Sequence, residues 1–100
     1  MTQLMELRQL RYFIKLAEVL NYSAASRELF ITQSTLSQQI INLEGEFGVR
    51  LFNRNSHAVS LTPAGEVLLP LAQATLDAAD RCRKSMEKVS TIEKSRIIKL

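Results

Sequence analysis

"SAASRELFITQSTLSQQIINLEGEFG", residues 23–48, decides how the rest of the chain is read. Ala24, Ala25 and Leu29 fall on the inner face of a short helix, with Ser23 as its N-cap and an end near Phe30. Ile31 reads as an apolar turn residue, and Thr32 or Gln33 opens the next helix. There Leu36, Ile40, Leu43 and Phe47 recur at intervals of four, three and four, which places them on one buried face. Gly48 stands where a left-handed residue ends such a helix. The remaining faces carry Thr32, Gln33, Ser34, Thr35, Ser37, Gln38, Gln39 and Asn42, with no Lys or Arg among them. A helix that needs only solubility takes Glu and Lys, which also favour helix formation. Amides and hydroxyls are the groups that pair with base edges in a DNA groove.

Upstream, a helix over residues 6–20 is expected, since Leu7, Leu10, Ile14 and Ala17 share one face, widened by Phe13 and Leu20. Asn21 is its stop. Downstream, Val49, Leu51 and Phe52 read as a short strand, residues 53–58 as a polar hairpin tip and residues 59–61 as the return strand. Thr62 and Pro63 make a helix start, a cap followed by proline at the first helical position. The last helix is expected over residues 63–89. Its small and apolar residues Leu68, Leu71, Thr75, Ala78, Cys82 and Val89 follow a seven-residue pattern broken only by Ser85. At ~1.5 Å per residue it would be about 40 Å long, more than the first 62 residues can cover. Pro70 inside it should bend it. Gly45, in mid-helix, suggests a close approach by the first helix. "TIEKSRIIKL", residues 91–100, reads as a polar linker ending on Ile97, Ile98 and Leu100, the first strand of a further domain.

One hundred residues bound the chain to one small domain, or a domain plus an arm. The net charge of +3 permits a nucleic-acid partner without proving one. Residues 1–62 hold six Lys/Arg and five Asp/Glu, and residues 63–100 hold seven and five, so there is no basic tail. A single cysteine, Cys82, excludes an internal disulfide, fits a reducing cytosol and reads as a small packed hydrophobe. No signal peptide and no membrane-length apolar run is visible. One histidine, His57, cannot make a metal site with the distant Cys82, and reads as a surface residue of the hairpin tip. No metal, cofactor or catalytic residues are expected, and an enzyme has no acid/base pair or phosphate loop to stand on.

A short helix, a tight turn, a second amphipathic helix and a hairpin spell a mainly α fold. It is a winged helix-turn-helix with a two-stranded wing and a long C-terminal dimerisation helix. In such a pair the second helix lies in the major groove with its N-terminal residues facing base edges. Arg50 and Arg54 flank the first wing strand, where cations meet the sugar-phosphate backbone, although Arg50 is also placed to pair with a carboxylate. The expected divisions are 1–62 for the DNA-binding domain, 63–90 for the linker helix and 91–100 for a hinge.

The stretches "LRQLRYFIKLAE", "NYSAASRELFITQSTLSQQIINLEGEFGVRLFNR" and "LTPAGEVLL" together resemble the N-terminal DNA-binding domain and linker helix of the bacterial LysR-type transcriptional regulators, over roughly residues 4–90. The resemblance implies a cytoplasmic, sequence-specific regulator that binds a two-fold operator in double-stranded DNA as a homodimer. It implies base reading by Gln33, Ser34, Thr35, Gln38 and Gln39. Backbone contacts would come from Ser23, Thr32, Ser37, Arg54 and Thr62, with Arg50 beside them. Pairing would run along Leu68, Leu71, Thr75, Ala78 and Cys82, a tetramer would form in the full-length protein, and a small-molecule effector would bind a following domain. Two positions depart from the family's usual residues: Ser34 stands where proline is common, and Gln38 where arginine is common. The latter removes a favoured guanine reader. The alternative from another class is a winged-helix module that binds protein. It would show aromatic or aliphatic anchors on the outer side of residues 33–42, where amides and hydroxyls stand instead.

Overall fold

In the computed structural model, residues 5–55 and 58–98 are described, the last two by backbone alone. The first helix, α1 (Leu7–Val19), buries Leu10, Phe13 and Leu16, with Gln9 beside them. The expected stripe is therefore rotated: Leu16 joins it, while Leu7 and Leu20 stay exposed. The cause is that α1 is covered from more than one side, by the next two helices and by the last one. Leu20 ends α1 in the left-handed conformation, φ 55°, its N–H bonded to the Leu16 carbonyl.

The second helix, α2 (Tyr22–Leu29), begins two residues before its expected start because Asn21, not Ser23, caps it. The Asn21 side-chain oxygen accepts the Ala24 N–H at 2.8 Å, and the Ser23 hydroxyl, already inside the helix, accepts from Arg27. Phe30 closes α2 with φ 59°, and Ile31 and Thr32 complete the turn into α3 (Gln33–Phe47). Thr32 caps α3 by accepting the Thr35 N–H at 3.1 Å, and Gly48, φ 69°, ends it. Leu36, Ile40 and Leu43 are buried against Ala25 of α2 and the α1 stripe. Phe47, expected in the core, is 39% exposed at the last position of α3. Gly45 has open space where a Cβ would stand, so no close approach accounts for it.

The wing pairs β1 (Phe52–Arg54) with β2 (Val59–Leu61), antiparallel, Phe52 opposite Leu61 and Arg54 opposite Val59. Val49 and Leu51 lie outside the strand, their N–H groups held by Glu44, and the ladder runs from Phe52 while the Leu51 carbonyl accepts the Thr62 N–H at 3.0 Å. Asn53 and Arg54 belong to the strand rather than to the tip. Ser56 and His57 lie outside the described residues, and the reading of His57 with them. Phe52 carries the wing into the core, its ring centroid 5.5 Å from that of Phe13.

The last helix, α4 (Pro63–Ile98), is 36 residues long and continues through Pro70. Gly65 lets it start tight against the wing: a Cβ there would come within 2.7 Å of Leu61 and closer still to the Leu51 carbonyl. Ala72 is buried, and Ala64, Leu68, Leu69 and Leu76 pack against the core. From residue 81 to residue 96 every side chain is exposed, and α4 stretches the molecule to 66 × 28 × 26 Å. The expected stop near Val89 is not there: residues 91–98 are helical, not linker and strand. Thr91–Ile98 holds neither glycine nor proline to break the helix, and Glu93 and Arg96 pair across one turn at 3.6 Å.

Candidate nucleic-acid interface

The capped start of α3 presents Gln33, Ser34, Thr35 and Gln38 to solvent, with Ser37, Gln39 and Asn42 half-buried beside them. Thr32 organises the first turn: its hydroxyl also donates to the Thr35 hydroxyl at 2.8 Å and lies 3.3 Å from that of Ser34. Gln38 donates from its amide to the Asn42 side-chain oxygen at 2.9 Å, one turn further on. Gln39 turns to the edge of the face, where Gln9 donates to its oxygen at 3.3 Å. Gln9 in turn accepts the Glu6 N–H at 3.0 Å, so this glutamine is tied to the start of α1. An open cleft between the starts of α2 and α3 and the wing brings Ser23 and Gln33 together with Asn21, Tyr22 and Val59. The structure thus gathers Ser23, Thr32, Gln33, Ser34, Thr35 and Gln38 on one side. Sequence reasoning missed Gln9 and named Asn42 on the polar face without a role of its own; what each does depends on a partner a helix or a turn away.

The root of the wing is built on Glu44. This carboxylate is 7% exposed and accepts the Leu51 N–H at 2.8 Å and the Phe52 N–H at 3.4 Å. Arg50 and Arg54 approach it at 3.5 and 3.6 Å. Arg54 also lies over the Tyr22 ring, 5.2 Å from its centroid. Burial raises the Tyr22 phenol above its usual pKa, against the pull of the Arg54 charge. Arg50 is the more open of the two arginines, and Arg54 keeps 29% of its side chain exposed. Thr62 does not reach this surface. It is buried, its hydroxyl donating to the Arg50 carbonyl at 2.6 Å and accepting the Gly65 N–H at 3.0 Å. Its hydroxyl is used up as the cap of α4, which corrects its assignment to a backbone contact.

Along α4, Leu71, Thr75, Ala78, Cys82 and Val89 are exposed on one stripe, extended by Val67, Met86 and Ile92, which the seven-residue pattern left out. The Thr75 hydroxyl is spent on the Leu71 carbonyl at 2.7 Å, within the helix. Leu68 differs from the rest of the seam: it packs against the core of its own chain. Among the described residues no three His, Cys, Asp or Glu side chains gather as a metal site. Among them, too, no helix is long and apolar enough to cross a membrane.

Two helices joined by a short turn, an amide-lined second helix and a two-stranded wing define a winged helix-turn-helix domain. Residues 7–66 match the model of the bacterial regulatory helix-turn-helix proteins of the lysR family, and the chain belongs to that family. It is 42% identical over 85 residues to the Hca operon transcriptional activator HcaR of Escherichia coli K12, covering 85% of this chain and 29% of that protein. It is 54% identical over 65 residues to the transcriptional regulator AlsR of Bacillus subtilis 168, covering 65% of this chain and 22% of that protein. The chain therefore spans less than a third of the length of these relatives. Among solved structures, a BenM DBD complex with catB site 1 DNA superposes with a TM-score of 0.82 at 37% identity, covering 86% of this chain and 97% of that one. A CbnR DBD–DNA complex gives 0.82 at 36% identity, covering 86% and 99%.

Proposed function

We propose that this chain is the DNA-reading part of a bacterial transcriptional regulator and binds a two-fold operator as a homodimer, α3 of each copy in the major groove. The observation that carries this reading is the solvent-facing start of α3, lined by Gln33, Ser34, Thr35 and Gln38, in a domain superposable on two DNA-bound relatives. An amide donates and accepts at once, so Gln33 and Gln38 suit adenine, at ~1–3 kcal/mol of discrimination per paired contact. Gln39 reads from the edge, restrained by Gln9. Ser23, Thr32, Ser37, Arg50 and Arg54 serve the phosphates, fixing register without carrying sequence. Pairing of two copies runs along the exposed α4 stripe from Leu71 to Cys82, with Leu68 shared between that seam and the core.

The role is binding, not catalysis, and is exercised in the cytoplasm. In a full-length protein of the relatives' size, two such dimers form a tetramer, and a small-molecule effector acts through the region beyond these 100 residues. A protein-binding module is not favoured, because the start of α3 offers amides and hydroxyls rather than anchors. Selection of bound sites from random duplex DNA, at stated salt, tests the reading. Expected is an inverted repeat whose half-sites lie about one helical turn, ~10 base pairs, or a multiple of it apart. Recovery of unrelated sequences with no shared half-site would sink it.

A further inference from the structure

Glu44 lies on the core face of α3, beside Leu43 and one turn on from Ile40, where a charge is costly unless it is paired. It is the only buried charged side chain among the described residues. It collects four backbone N–H groups. Its carbonyl accepts those of Gly48 and Val49, at 2.8 and 3.2 Å, and its carboxylate those of Leu51 and Phe52. The same carboxylate faces both Arg50 and Arg54, so one negative charge meets two positive ones and a single positive charge is left over. Through Arg54 the network continues to Tyr22 at the start of α2. One side chain thus ties together the reading helix, the first wing strand and the start of α2, the three elements that line the candidate interface.

We propose that Glu44 is a positioning residue for DNA recognition, an inference that rests on the DNA-binding reading above. It does not touch DNA. It fixes where β1 leaves α3 and holds Arg54 so that the surplus charge meets a phosphate in register with Gln33 and Gln38 in the groove. Two rival roles predict different results. If Glu44 only lowered the local charge, its neutralisation would tighten binding to all DNA. If it only stabilised the wing, neutralisation would lower the melting temperature and leave binding by the folded protein unchanged.

Glu44→Gln keeps an oxygen for the Leu51 N–H but removes the charge that holds the two guanidiniums. A preferred site is first selected with the wild-type chain. Wild type, Glu44→Gln, Arg54→Ala and the double variant are then measured on that site, intact and with a single neutral methylphosphonate at each backbone position in turn. Wild type should lose affinity at one phosphate per half-site, a sensitivity absent from Arg54→Ala. Glu44→Gln, although more positive, should bind the intact site about tenfold more weakly and lose the same sensitivity, because Arg54 is no longer held over its phosphate. The double variant should be no weaker than Arg54→Ala. Equal or tighter binding by Glu44→Gln with the wild-type phosphate pattern overturns the proposal. Should Glu44→Gln fail to fold by circular dichroism, Arg54→Lys decides. It keeps the charge but lacks the planar fork that rests on Tyr22. A loss of about tenfold supports positioning, and unchanged binding overturns it. A wild type that selects no site overturns the DNA reading itself, and shows it before any variant is made.

Discussion

At the root of the wing, Glu44, Thr62 and the N–H groups of Leu51 and Phe52 all find partners inside the chain. Along α4 from residue 81 to residue 96, every side chain is exposed. The first region spends its polar groups and glycines on its own closure. The second leaves Met86, Val89 and Ile92 in water, continuing the stripe that begins at Val67 and Leu71. A substitution in the packing of the wing root should therefore act on folding, one at Glu44 on DNA binding as proposed above, and one on the outer stripe on assembly. This row of exposed apolar residues, on a helix that leaves its own domain, is the surface that the proposed pairing of two copies would cover.

The largest effect expected from this contrast is on association. Leu71→Asp combined with Val89→Asp places two charges in the seam and none in the core, since both residues are exposed in the single chain. The dimer dissociation constant should rise about a hundredfold or more, because an unpaired charge would be buried on pairing. Sedimentation should show monomers at concentrations where wild type is dimeric, with the melting of the winged domain in the monomer little changed. A variant that stays dimeric would place the interface elsewhere. Leu68 is a poorer probe, because it also packs against its own core.

Next come the two glycines of the wing root and α3, where the same change should have opposite signs. Gly65→Ala drives a methyl group against the Leu51 backbone and the Leu61 side chain. Overpacking of this kind costs ~1–3 kcal/mol, and against backbone it cannot be relieved by a rotamer change. Gly45→Ala meets open space in a helix and should stabilise by up to ~1 kcal/mol. Thermal unfolding monitored by helical signal checks both. A domain of this size moves by roughly 4–8 °C per kcal/mol, so the two variants should separate clearly. If both raise or both lower the midpoint, the close passage at Gly65 is misjudged.

These two glycines also show what the sequence could and could not reveal. Helix order, the wing, Gly48 as a stop and the Leu36–Ile40–Leu43 face were legible, because each is a local pattern of spacing or turn chemistry. Gly65 looked ordinary, since its reason is Leu51, fourteen positions away in the chain. Leu16 and Gln9 were missed because α1 is covered on several sides, which a single-stripe reading does not anticipate. Leu20 and Phe30 end helices in the left-handed region without being glycine or asparagine, and Asn21, read as the stop of α1, is the cap of α2 instead. Glu44 did leave a trace. It is a charged residue on the apolar face of α3, and such a position calls for a partner. Which partners it has depends on the wing folding back, and that is a tertiary fact. Of the candidate site, the exposed amides of α3 were readable from composition, whereas Thr62 was readable as the cap of α4 but its burial was not.

The smallest effect concerns the start of α2, where cap and contact were easy to confuse. Ser23 and Asn21 are both residue types that cap helices, and both lie in the cleft beside Gln33. Only Asn21 reaches the Ala24 N–H, at 2.8 Å, whereas the Ser23 hydroxyl is engaged by Arg27 on the exposed side of the helix. Removing a cap leaves one helix N–H without a protein partner and typically costs ~1 kcal/mol. Removing an exposed hydroxyl elsewhere usually stays within ~0.5 kcal/mol. Asn21→Ala should therefore lower the chemical-denaturation midpoint measurably, and Ser23→Ala should leave it nearly in place. DNA binding should show the reverse order. Ser23→Ala removes a proposed phosphate contact, so it should weaken binding to the selected site and to random DNA by the same small factor, with base preference intact. A Ser23→Ala variant that is destabilised but binds DNA normally would make Ser23 the structural residue and remove it from the interface.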